Sequence, residues 1–352
     1  MNQKPFLTIP LISALITVII TCSIYFPLFN FYSDLCGKFN RSLDYFPETF
    51  ISALENHLNS PFENKNFIIL GSDKRDDALE KNEKTDTIIF ASLNIPQKKL
   101  SLLSLPRDLW FNDTQTKINA IYELSKETTG QVDYSFIKNK YSNLLGQNID
   151  RVVVIDTADL VNFVRLIDGV DLYLEKGFVD NQYPNPEYIA KPSPNIPIYK
   201  TVEFPSGPVH LDITNVTEFV RSRKGSDDPK EGGTDLGRIE RQQLLINAIA
   251  AKLNSGHLSD INMLSSLYNF YHQNIESDIN DKFVVQLLLS LKTDLNNIYI
   301  QKIDIPTSLS DSKNAILYHP QKFQGNQWVF MPSDPSYEQL KHFISASLND
   351  DN

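Results

Sequence analysis

The run NFIILGSDKRDD (66–77) is followed by KTDTIIFASLNI (84–95), KKLSLLSLPRD (98–108) and KINAIY (117–122). Each apolar stretch is short, rich in Ile, Leu, Phe and Ser, and bounded by Gly, Pro, Asp or Lys. This is the pattern of neighbouring strands in a buried sheet. Charge gathers where the strands stop: Asp73 and Arg75 follow Phe67–Leu70, Asp86 opens Thr87–Leu93, and Arg107 and Asp108 follow Leu100–Leu105. In open α/β sheets, ligands collect in the crevice beyond the strand ends. Two carboxylates and two guanidiniums arriving there suggest a metal ion and an anion.

Beyond this stretch, helical and extended patterns alternate. Asn119–Leu145 reads as helical, with Ile137, Tyr141, Leu144 and Leu145 on one face and Gly146 as its stop. Arg151–Ile155 is a continuous β-branched run, hence a buried strand. Thr157–Ile167 follows as a helix capped by Asp156 or Thr157, and Gly169 turns the chain into a strand over Val170–Leu174. Glu175–Thr201, rich in Pro, Asn and Tyr, is expected to be a long surface loop. Phe204–Leu211 is extended, a helix starts at Thr214, and a polar, Gly-rich loop spans Ser226–Gly233. Helices are expected over Leu236–Leu253, Asp260–Tyr271, Asp281–Leu291 and Tyr337–Leu348, with strands at Ile298–Ile305 and Trp328–Met331. The sum is an α/β fold, an α/β/α layering of a central mixed β-sheet flanked by helices.

Upstream, Phe6–Ser33 carries no charged side chain. A membrane helix needs about 20 apolar residues, and this run supplies them. Lys4 before it and Asp34 after it favour a cytoplasmic N-terminus and an extracytoplasmic remainder. No small-x-small cleavage site follows, which favours a retained anchor over a removed signal peptide. Cys22 lies inside the run and reads as a membrane-buried thiol. Phe46, Phe50, Ala53, Leu54 and His57 then recur at helical spacing, as a stalk helix. The expected organisation is a cytoplasmic tail (1–5), a transmembrane helix (6–31), a stalk and linker (32–65), a catalytic domain (66–305) and a C-terminal extension packing on it (306–352).

Composition narrows the chemistry. A formal net charge of −10 over 352 residues disfavours nucleic acid as a partner. Any anion must be held by a local cluster of Arg or Lys. Two cysteines, Cys22 and Cys36, cannot build a disulfide framework or a zinc site. The sequence has no Gly-rich Lys loop of the Walker type and no GxSxG elbow, and its two SxxK matches (Ser135–Lys138, Ser310–Lys313) lack partner motifs. The six histidines are scattered. The two tryptophans, Trp110 and Trp328, read as core or pocket residues, and Trp110, just past Arg107 and Asp108, could line a lipid pocket.

A cationic cluster is visible. Arg221 and Arg223 sit in FVRSRK, and Arg238 and Arg241 in GRIERQQ. On a helix, Arg238, Arg241 and Gln242 share a face, since positions three and four apart are neighbours. The planar fork of arginine suits phosphate. Single arginines could equally serve in surface ion pairs with Glu240. Asp73 and Asp86 could bracket a Mg²⁺ or Mn²⁺ ion that shares phosphate oxygens, or serve as turn and cap residues. Asp108 could orient Arg107 or act as a base.

The motifs GSDKR (71–75), KTDT (84–87), SLPRD (104–108), KINAIY (117–122), DGVDL (168–172), RSR (221–223) and GRIERQQ (237–243) closely resemble, in order, those of the LytR-CpsA-Psr family. The resemblance covers roughly residues 66–305. It implies a membrane-anchored, extracytoplasmic, Mg²⁺-dependent phosphotransferase. Such an enzyme moves a glycopolymer phosphate from a polyprenyl pyrophosphate carrier to a sugar hydroxyl of peptidoglycan or a related envelope acceptor. By motif position, Asp73 and Asp86 would hold the metal, and Arg75, Arg107, Arg221, Arg223, Arg238, Arg241 and Gln242 the pyrophosphate. Arg107, Asp108, Arg223 and Arg238 would serve catalysis, and the prenyl tail would lie in an apolar tunnel between sheet and helices. Lys84 departs from the family's Arg, Asp168 from its Gly, the loop 224–236 is long, and a double Gly after KINAIY is missing. A prenyl pyrophosphate hydrolase and a non-catalytic binder of prenyl lipid or wall polymer are the competing readings.

Overall fold

A computed structural model describes residues 29–72, 83–222, 235–254, 260–291, 298–309, 315–323 and 327–349. The expected membrane run lies almost wholly outside them. Among the described residues no helix is long and apolar enough to cross a membrane.

The chain enters as helical backbone over residues 29–38 (α1) and helix α2 (Tyr45–Asn59), then forms β1 (Asn64–Ser72), β2 (Thr85–Asn94) and β3 (Lys99–Ser104). The ribbon β4 (Trp110–Phe111) and β5 (Thr116–Lys117) leads into α3 (Ile121–Leu124) and α4 (Tyr134–Leu145). The single helix expected over Asn119–Leu145 is therefore broken. Gly130 adopts φ 72°, and Asp133 starts α4 afresh by accepting from Phe136 N at 3.0 Å. The four residues expected on one face, Ile137, Tyr141, Leu144 and Leu145, are the buried ones, and Gly146 ends the helix in the left-handed conformation.

Strand β6 (Arg151–Asp156) follows, and Asp156 caps α5 (Thr157–Leu166) through Ala158 N at 2.7 Å. Next come β7 (Val170–Leu174), β8 (Phe178–Pro184), α6 (Pro186–Ala190), β9 (Tyr199–Phe204) and β10 (Gly207–Leu211). The expected loop over Glu175–Thr201 thus holds a strand pair with a helical turn between. Phe178, Tyr183, Val202 and Phe204 bury their side chains, and the Phe178 and Phe204 rings stack at 5.1 Å. That apolar alternation outweighs the Pro and Asn content, which is absorbed where Asn185 caps α6 with Pro186 in its first turn. The chain continues through α7 (Val216–Arg221), α8 (Asp235–Asn254), α9 (Ile261–Asn274), β11 (Glu276–Ser277), α10 (Asp281–Leu291) and β12 (Tyr299–Ile303). It closes with β13 (Thr307–Ser308), β14 (Leu317–Tyr318), β15 (Met331–Pro332) and α11 (Glu338–Asn349).

The central sheet runs β11-β6-β1-β2-β3-β12. β2 is antiparallel to β1 and β3, while β6 is parallel to β1 and β12 to β3. The sheet is mixed, as expected. Its directions bring the C-terminal ends of β1, β3, β6 and β12 and the N-terminal end of β2 to one edge. One face carries Ile68, Leu70, Ile88, Phe90, Leu103, Val152 and Val154 against α4 and α11. The other carries Ile89, Ala91 and Leu102, with half-buried Phe67, Ile69, Leu100 and Ile300, against Ile246 of α8. Each such side chain removed from water contributes roughly 1.5–3 kcal/mol. A second core, built by β7–β10, α5 and α7, holds the C-terminal half of α8 through Leu245 and Ala248.

The segment expected as a stalk packs on the body, with Ala53 fully buried. The Phe39 ring meets Phe46 and Tyr268 edge-on at 5.6 and 5.1 Å.

Candidate active site

The β1–β2–β3 meander decides where the charges go. Asp86 is the second residue of β2, and Arg107 lies three residues past the end of β3. With those strands antiparallel, both sit at one edge of the sheet. Arg107 Nη1 donates to Asp86 Oδ1 at 2.5 Å. KINAIY fastens this edge from behind: Asn119 N donates to Arg107 O and Ile118 N to Leu109 O, and the buried Thr85 Oγ1 donates to Asn119 O at 3.3 Å.

Asp108 is buried. Its Oδ1 accepts from Lys117 Nζ at 2.6 Å, and its Oδ2 lies 3.4 Å from Arg107 Nε. Of the two roles open to Asp108, this geometry supports orienting Arg107, since both carboxylate oxygens face cations. Lys117 was not singled out by the sequence reading. Its signal was the KINAIY motif, whose first residue reaches back to PRD.

The third component is α8. Arg238, Arg241, Leu245 and Ala248 form its buried stripe, three or four residues apart, so the helix buries cations at one end and apolar groups at the other. Arg238 Nη1 lies 4.0 Å from Asp86 Oδ2, and Nη2 lies 3.5 Å from Asp86 O. Gln243 Nε2 donates to Ser104 Oγ at 2.8 Å, tying α8 to the end of β3. Gln243 too was missed; in sequence it is indistinguishable from its neighbour Gln242.

Asp86, Thr87, Ile88, Ser104, Leu105, Arg107, Arg238 and Gln242 line one small cavity. Four of the predicted site residues are thus brought together. Arg241 is directed elsewhere: it donates through Nε to Phe219 O at 2.9 Å and through Nη2 to Ser222 O, and its guanidinium lies 4.1 Å from the Phe178 ring centroid. Burial, then the neighbouring Arg238 charge, push its pKa down to about 10, against the opposing charges of Asp180 and Glu240. Arg241 therefore corrects the expectation of a pyrophosphate contact: its fork is used on the carbonyls that end α7. Arg221 closes α7 and does not line this cavity. Asp73, Arg75 and Arg223 lie outside the described residues, as does the loop 226–233.

Two other expectations change. Trp110 is buried against Phe323 at 4.8 Å and is absent from the cavity wall. The cavity is small, and among the described residues its lining encloses no prenyl-sized tunnel. Lys84 stands exposed at the entry to β2.

The LytR_cpsA_psr family profile matches residues 47–341. Among relatives, the chain is 24% identical over 279 residues to the polyisoprenyl-teichoic acid–peptidoglycan teichoic acid transferase TagV of Bacillus subtilis (strain 168), covering 76% of this chain and 60% of that protein. It is 24% identical over 258 residues to the transferase of the same description, TagU, of Oceanobacillus iheyensis, covering 72% of this chain and 70% of that one. Among solved structures, B. subtilis TagV superposes with a TM-score of 0.55 at 20% identity, covering 82% of this chain and 99% of that one. TagT bound to LIIa-WTA gives 0.55 at 17% identity, covering 82% and 92%. At those identities the structural likeness speaks for the fold. The family match spans most of the sequence and every described element of the site, and the chain belongs to the LytR-CpsA-Psr family.

Proposed function

We propose that the protein is a membrane-anchored, extracytoplasmic phosphotransferase. It moves a glycopolymer phosphate from a polyprenyl pyrophosphate carrier to a sugar hydroxyl of peptidoglycan or a related envelope acceptor. The observation that carries this reading is the convergence of Arg107 and Arg238 on Asp86 within one cavity. Phosphoryl transfer needs positioning and charge neutralisation more than covalent help, and two buried-edge guanidiniums supply both. The names of TagV and TagU support a glycan-on-polyisoprenyl donor and a peptidoglycan acceptor. The half-buried Phe67, Ile69, Leu100, Ile246 and Ile300 between sheet and α8 would offer an apolar face to a prenyl tail.

The residues suit a divalent cation. The Asp86 side chain is 30% exposed and open to the cavity that it lines. An open oxygen site of this kind fits Mg²⁺, which keeps waters and takes substrate phosphate oxygens. Asp86, with Asp73 following β1, would hold it, and when bound it would neutralise charge on the diphosphate. Arg107, oriented by Asp108, would contact the phosphate that transfers; Arg238 and Gln242 would hold the remainder from α8.

The test is incubation with a prenyl pyrophosphate-linked saccharide, MgCl₂ and a peptidoglycan oligomer. A covalent phosphodiester product that is lost with EDTA supports transfer. Release of free phosphosugar without product points to hydrolysis, and binding without turnover to a carrier protein.

A further inference from the structure

At the opposite edge of the sheet, four adjacent strands turn neutral and polar at the same level. Asn66 stands opposite Ser92, Ser92 opposite Ser101, and Ser101 opposite Gln301. The next rung places Asn64 opposite Asn94. Side chains alternate between the faces of a sheet, so this row shares the face of Ile68, Phe90 and Leu103 in the large core. Interior strands ordinarily carry apolar residues there, yet Ser92 and Ser101 are only 9% and 2% exposed.

The row lines a cavity, completed by Gln147 and by Ser345, Leu348 and Asn349 of α11. The lining comprises Asn64, Asn66, Ser92, Asn94, Ser101, Gln147, Ser345, Leu348 and Asn349, and none is charged. Carboxamides and hydroxyls both donate and accept hydrogen bonds, as saccharide hydroxyls do. The lining offers a metal ion no carboxylate, and the buried Lys99 beside it turns its Nζ to Leu348 O at 3.4 Å, while an apolar ligand would strand the polar groups. Asn66 Nδ2 donates to Asn148 O at 2.8 Å, while its buried Oδ1 has no partner. Ser101 Oγ donates to Gln301 Oε1 at 2.9 Å, which leaves its lone pairs to accept.

We propose that this cavity binds a neutral saccharide unit. It lies roughly 20 Å along β2 from Asp86, at about 3.4 Å per residue, so a glycan engaged at the cationic edge would have a second hold on the protein. Binding there does not require the transfer chemistry, and the two ideas can fail separately.

The probe is N,N′-diacetylchitobiose with the full chain in detergent, read by saturation-transfer difference NMR. Transfer to the sugar protons is expected in the wild type and in Arg107→Ala. Affinity should fall about tenfold in Ser92→Ala/Ser101→Ala, since two neutral hydrogen bonds are lost. Gln147→Ala, on the cavity wall outside the sheet, gives the same readout should the double variant fail to fold. Absence of transfer in the wild type, affinity unchanged in the cavity variants, or signals abolished by Arg107→Ala alone would overturn the proposal.

Discussion

Arg107 and Asp86 meet at 2.5 Å across the ends of two strands that run in opposite senses. Neither is deeply buried: the side chains are 21% and 30% exposed, so the pair faces the cavity while Asp108 and Lys117 close it from behind. A guanidinium held through Nη1 by one carboxylate and close by Nε to another has its plane fixed. Its remaining donors are then set before any substrate arrives. Lysine keeps the charge and loses this fork. Arg107→Lys should lower the transfer rate by about 10²-fold or more, the scale for losing one preorganised donor, with melting temperature nearly unchanged. A single-turnover assay with the lipid-linked donor measures it. A rate within a few-fold of wild type would remove Arg107 from the chemistry.

Arg238 and Arg241, one turn apart on α8, should separate cleanly. Arg238 faces Asp86 and lines the cavity, so Arg238→Met should cut turnover at nearly constant stability. Arg241 holds Phe219 O and Ser222 O beside the Phe178 ring. Arg241→Met leaves those buried carbonyls without their donor, at a cost of about 2–4 kcal/mol. Paired thermal denaturation and turnover measurements on the two variants check the division. Equal effects on both readouts would mean that the two arginines act as one unit.

How far the sequence could be read follows from this contrast. Strands β1, β2, β3 and β6 announced themselves through apolar runs with charged ends, and their antiparallel order alone carries Asp86 to Arg107. The faces of α8 were harder. Arg238, Arg241, Gln242 and Gln243 have similar chemistry, and helical spacing sets Arg238 beside both Arg241 and Gln242. The position of α7 decides that Arg241 turns to carbonyls, and that of β3 that Gln243 turns to Ser104. The β8–β9 pair was hidden because Pro and Asn mark turns and caps as strongly as loops. Its Phe178–Phe204 stack is a long-range contact that local pattern does not carry.

Gly71 offers a steric test of the same edge. It stands opposite Thr87, and a Cβ added to it would lie 2.8 Å from Thr87 Cβ. Both atoms belong to strand backbone positions, so the strain must move β1 or the start of β2. Gly71→Ala should destabilise by about 1–3 kcal/mol and depress turnover beyond that loss, because Asp86 precedes Thr87. Denaturant unfolding and assay at saturating donor distinguish the two effects. Normal stability with normal turnover would show that the edge is softer than its packing implies.

The last prediction concerns how the body is held to its N-terminal helices. Asp281, at the start of α10, accepts from Tyr268 Oη at 2.5 Å and from Tyr45 Oη, with Arg41 Nη2 at 3.2 Å and His272 Nε2 at 2.9 Å. Tyr45 opens α2, so one carboxylate joins that helix to α9 and α10. Burial alone would raise the Asp281 pKa, but the hydrogen bonds from Tyr268 and Tyr45 and the neighbouring His272 outweigh it, and the group sits below its ordinary value of 3.8. The sign then follows from linkage. A carboxyl depressed in the folded form stabilises it fully above its ordinary value, and the contribution drains away as pH falls through the lowered one. Protection factors of the Tyr45–Asn59 amides, which correct for the intrinsic exchange rate at each pH, should therefore fall below about pH 4. Asp281→Asn should show fast exchange already at neutral pH, with the acid dependence lost. Protection in α2 that is high and identical in both proteins from neutral to acid pH would mean that the helix is held by its apolar face alone.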